Sequence, residues 1–85
     1  MDHYAGIDVS LELSSVCVVD ATGRLVREAK VASEPDALIA WLRGLGLAVA
    51  RVGLEAGPLS QWLFAGMRDA DLPVELLERR ASLRM

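Results

Sequence analysis

Four residues, Asp20-Ala-Thr-Gly23, separate two strand-like runs, and the shortness of that link limits what the chain can fold into. A parallel crossover takes on the order of a dozen residues, so runs joined this closely pair antiparallel. Gly23 suits the turn, because glycine reaches positive φ without steric cost. The run before the turn, about Ser14 to Val19, is rich in valine. The run after it extends from Arg24 to about Val31. An earlier run, about Tyr4 to Val9, is joined to the second by a short polar link containing Ser10 and Glu12. Three strands in succession predict an antiparallel meander. The third carries Arg24, Arg27, Glu28 and Lys30, the kind of charge that protects a sheet edge.

Beyond the meander the period changes. Leu38, Trp41, Leu42 and Leu45 recur at helical spacing and predict one apolar helix face. Ser33 stands where a cap would, Asp36 where a reciprocal capping contact would, and Pro35 is tolerated in a first turn. Gly44 and Gly46 supply the stop. A fourth strand follows, about Val49 to Glu55. A second helix then begins near Pro58 with Leu59, Trp62, Leu63, Gly66 and Met67 on one side. Pro73 opens a short fifth strand, and the tail Glu78–Met85 reads as weakly helical or frayed.

The expected class is therefore α/β. Two strand–helix–strand crossovers, right-handed by the general rule, give a mixed five-stranded sheet of order 3-2-1-4-5. Both helices fall on the same face of that sheet. Strands one and four become parallel neighbours, with Asp8 and Glu55 at their carboxyl ends, where α/β sheets build their sites. Side chains alternate along a strand. Gly6 and Asp8 thus share a face, as do Gly53 and Glu55, and a matching register brings the two carboxylates together. Paired carboxylates repel unless a cation or proton sits between them. With oxygen ligands, Mg2+ or Mn2+ is the natural ion. The face carrying these groups is left uncovered, and its glycines leave room for a further helix.

Composition narrows the partners. The chain has 85 residues, enough for one domain at most, and 53% are apolar while 5% are aromatic. Its net charge of −3 argues against strong nucleic-acid binding by these residues alone, although Arg79, Arg80 and Arg84 form a local basic cluster. The single cysteine, Cys17, rules out an internal disulfide and fits a reducing compartment. No apolar run approaches the roughly 18 residues of a membrane span. The opening Met-Asp-His-Tyr lacks the basic start of a secretory signal, so a cytoplasmic location is expected.

Four stretches carry a resemblance: "YAGIDVS", "VCVVDATGRLV", "KVASEPDALIAWL" and, most specifically, "VGLEAGPLSQWL". They resemble the N-terminal part of insertion-sequence transposases with a RuvC-like DEDD domain, relatives of the Piv-type DNA invertases. The likeness runs from about Tyr4 to Arg80. It implies an RNase H-like fold in which four acidic residues bind divalent metal for DNA strand cleavage and transfer. It makes Asp8 and Glu55 the first two of the four, catalytic and metal-binding. Such carboxylates hold two ions ~4 Å apart in two-metal chemistry. The family's other two acidic residues belong to an Asp-x-x-Asp-type segment further along, and its serine-bearing second domain follows; these residues contain neither. The resemblance thus implies an incomplete domain over 1–85, a truncated portion that holds metal weakly or not at all and is inactive alone. DNA, and in some members a guide RNA, would be the partners of the full-length protein.

On the residues alone, Asp8 reads equally well as a strand end bonded to its loop, and Glu55 as a charge favoured near a helix start. The resemblance favours the ligand reading for both. Asp20 and Asp36 read as turn and cap residues, Cys17 as a small core hydrophobe, Trp41 and Trp62 as packing residues, and His3 as a frayed terminus. Ser60 and Gln61 read as first-turn polarity, with DNA contact as the alternative. Two other functions stay open. One is a fragment of an actin-like ATPase or sugar-kinase domain, although its first hairpin loop would want more glycine than "SLELSS" has. The other is a non-catalytic module that self-associates through the uncovered sheet face.

Overall fold

The computed structural model describes residues 2–55 and 57–77. Arg79, Arg80, Arg84 and the rest of the tail lie outside the described residues. The chain runs β1 (His3–Asp8), β2 (Leu13–Asp20), β3 (Leu25–Ala32), α1 (Pro35–Arg43), β4 (Val49–Glu55), α2 (Ser60–Asp69) and β5 (Val74–Leu77). The sheet order is β3-β2-β1-β4-β5. β1–β2 and β2–β3 are antiparallel, and β1–β4 and β4–β5 are parallel. The meander, the two crossovers and the charged edge strand β3 are all as the link lengths require.

One face of the sheet makes the core. Ala5, Ile7, Val16, Val18, Val52 and Leu54 alternate inward from β1, β2 and β4. They meet Leu38 and Leu42 of α1 and Leu63 and Met67 of α2 in a single apolar cluster. Both helices therefore lie on this face. The helices also touch each other. A Cβ on Gly66 would stand 2.6 Å from Pro35 Cβ and 2.9 Å from its Cγ, so α1 and α2 approach through the one side chain α2 lacks there.

Several local expectations fail for tertiary reasons. Ser33 does not cap α1. The cap position is Glu34, with no side-chain hydrogen bond to the helix, so Asp36 has no reciprocal contact to make. Ser33 is buried, and its hydroxyl donates instead to the Ser10 carbonyl. With that proton committed, Ser14 Oγ donates to Ser33 Oγ at 2.7 Å. Together these bonds tie the β1–β2 link and the start of β2 to the β3–α1 link, and burial makes the satisfied polar contact more valuable than a cap in water. α2 starts at Ser60, two residues after Pro58, with Leu59 in the cap position. Trp62 is 53% exposed and does not pack into the core, whereas Trp41 does contribute at the core's edge. His3 is not frayed: it opens β1, and its amide donates to the Ala48 carbonyl at 3.0 Å.

The β2–β3 turn behaves as its sequence predicts. Gly23 has φ +87. Asp20 Oδ1 accepts from the Thr22 hydroxyl at 2.6 Å, the Thr22 amide at 2.9 Å and the Arg24 amide at 3.0 Å. The Thr22 hydroxyl above all, then the Arg24 amide, holds this carboxyl below its usual range. A carboxyl depressed in the folded state stabilises above its unfolded pKa, near 3.9, and loses that contribution as pH falls through the folded value. Asp20→Asn should therefore cost stability at pH 6 and progressively less toward pH 2. Thermal melts of both proteins across that range test this; a gap that stays constant with pH would rule the linkage out.

Candidate functional site

The opposite face of the sheet carries the residues that the inward alternation leaves over. Tyr4, Gly6 and Asp8 project there from β1, Ser15 and Cys17 from β2, and Arg51, Gly53 and Glu55 from β4. Neither helix covers it. β1 and β4 run in parallel with Gly6 level with Gly53 and Ile7 level with Leu54, the residues just before Asp8 and Glu55. On its other side Asp8 pairs with Ser15.

Asp8 and Glu55 line one trough of about 370 Å³, together with Gly6, Ile7, Ser15, Cys17, Gly53 and Leu77. Asp8 is exposed and Glu55 half-buried. Both stand at the carboxyl ends of adjacent parallel strands, on the face expected. The glycines leave room at the trough floor, though not equally so. Nothing lies within 4 Å of where a Gly6 Cβ would be, whereas a Gly53 Cβ would meet Leu77 Cδ1 at 2.9 Å. Leu77 of β5 thus occupies part of the room expected over Gly53.

Cys17 is corrected by this geometry. It is not a core residue: the inward positions of β2 are Ser14, Val16 and Val18, and Cys17 stands between them on the open face. It lines the trough, with Sγ 4.0 Å from Glu28 Oε2 of β3. Ser15, Cys17 and Leu77 line the trough without standing out as site residues in the sequence. Alternation along β2 carries the signal for the first two, once the register to Asp8 is known. Ser60, by contrast, is buried: its hydroxyl donates to the Gly57 carbonyl at 2.7 Å and accepts from the Gly57 amide at 2.9 Å. It shapes the turn into α2 and is not presented to a ligand. Gln61 beside it is exposed.

Two carboxylates supply hard oxygen donors suited to a divalent ion, but they are few. Among the described residues no group of three or more His, Cys, Asp or Glu is placed to hold a metal. On the same face Arg51 Nε lies 3.1 Å from Glu75 Oε2, an exposed ion pair of the kind that contributes little. Among the described residues no helix is long and apolar enough to cross a membrane.

No protein-family model matches this chain. A search of curated proteins likewise finds no match.

Proposed function

We propose that Asp8 and Glu55 are half of the acidic metal site of a RuvC-like, RNase H-like transposase domain that acts on DNA in insertion-sequence movement. The supporting observation is that Asp8 and Glu55 line one trough on the sheet face that α1 and α2 leave open. The resemblance of "GLEAGPLSQWL" and "YAGIDVS" to that family adds the chemistry. A bound Mg2+ or Mn2+ would polarise a phosphodiester and stabilise the charge of the attacking and leaving oxygens. Asp8, exposed at a strand end, is free to present an oxygen outward. Glu55, on the neighbouring strand, would supply the second donor. Two ligands make weak binding, so these 85 residues alone are expected not to cleave DNA.

Manganese titration followed by electron paramagnetic resonance tests the pair. Weak binding is expected, abolished in both Asp8→Asn and Glu55→Gln and retained in Asp69→Asn, whose carboxylate lies at the end of α2 away from the trough. Equal binding by all four proteins would remove the site. The family reading is tested separately, by reading the coding DNA past codon 85 for an Asp-x-x-Asp-type segment. Its absence in every frame would leave a small acidic module without the nuclease role.

The open face favours a second reading beside the first, self-association. It exposes Tyr4, Leu13 and Leu77, at 37%, 50% and 48%. Apolar surface gathered on one face marks association sites. Light scattering at about 100 μM should show species larger than a monomer, reduced in Leu77→Lys. A monodisperse monomer with a cooperative melt would refute this reading.

The actin-like alternative draws no support from the β1–β2 link. Residues 9–12, Val-Ser-Leu-Glu, contain no glycine to approach a phosphate.

A further inference from the structure

We draw no further inference here: the strongest candidate, the open sheet face around Gly6, Cys17 and Gly53 with its apolar rim at Leu13 and Leu77, already belongs to the site and association surface described above, and nothing among the described residues shows what else covers it.

Discussion

Leu38→Ala should lower the unfolding free energy by about 2 to 5 kcal/mol, the range for emptying a well-packed leucine site. Leu38 has 0% exposure and stands where α1 enters the cluster formed by β1, β2, β4 and α2. Removing it forfeits the burial of its side-chain carbons and leaves a space in a close-packed cluster that relaxes only in part. The fraction at stake is large. A domain stabilised by roughly 0.05 to 0.15 kcal/mol per residue holds about 4 to 13 kcal/mol over this length. Among the described residues the core lies on one face of the sheet, with no second apolar layer to share the load. Urea denaturation measures the effect as a shift of midpoint. Leu11→Ala is the comparison, since Leu11 is 75% exposed and should change stability by less than about 0.5 kcal/mol. Equal midpoints for Leu38→Ala and Leu11→Ala would mean that α1 does not close the core.

Gly66→Ala should also destabilise, although helix propensity argues the other way. Alanine in a helix interior is better than glycine by up to about 1 kcal/mol. The new Cβ, however, would lie 2.6 Å from Pro35 Cβ and 2.9 Å from Pro35 Cγ. A proline ring cannot swing aside like the end of a long side chain, and Pro35 is itself held at the start of α1. Relief requires α1 and α2 to separate. Overpacking of this kind costs about 1 to 3 kcal/mol, so the clash outweighs the propensity gain and leaves a net loss of up to about 2 kcal/mol. A double-mutant cycle isolates the contact. Pro35→Gly removes the opposing atoms, and Gly66→Ala should then cost less, or stabilise, with a coupling of about 0.5 kcal/mol or more. Strict additivity of the two changes would show that the helices do not meet there.

The shared face of Asp8 and Glu55 is legible in the sequence because each step to it is local. Alternation puts Gly6 with Asp8 and Gly53 with Glu55, and link length makes β1 and β4 neighbours. The register was the one conditional step, and Gly6 opposite Gly53 satisfies it. The failures have another character. Ser33 has the side chain and position of a cap, yet it turns to Ser10 and Ser14, 23 and 19 residues away in the chain. Cys17 reads as apolar among valines, but alternation assigns it to the face that the helices do not cover. Trp62 sits at helical spacing with Leu59 and Gly66, yet the core is narrower than that stripe and leaves it half in solvent. Leu77 over Gly53 depends on how far β5 runs beside β4.

By itself the sequence determined the order of elements, the meander, the sheet order and the shared face of Asp8 and Glu55. Chain length between elements and the two-residue period act over a few residues, so neighbours along the chain suffice to read them. Tertiary structure alone decided which face of β2 is buried, which serine bonds which, and how closely α1 meets α2 at Gly66. Those outcomes depend on atoms brought together from distant parts of the chain, where packing and the satisfaction of buried polar groups override local preference.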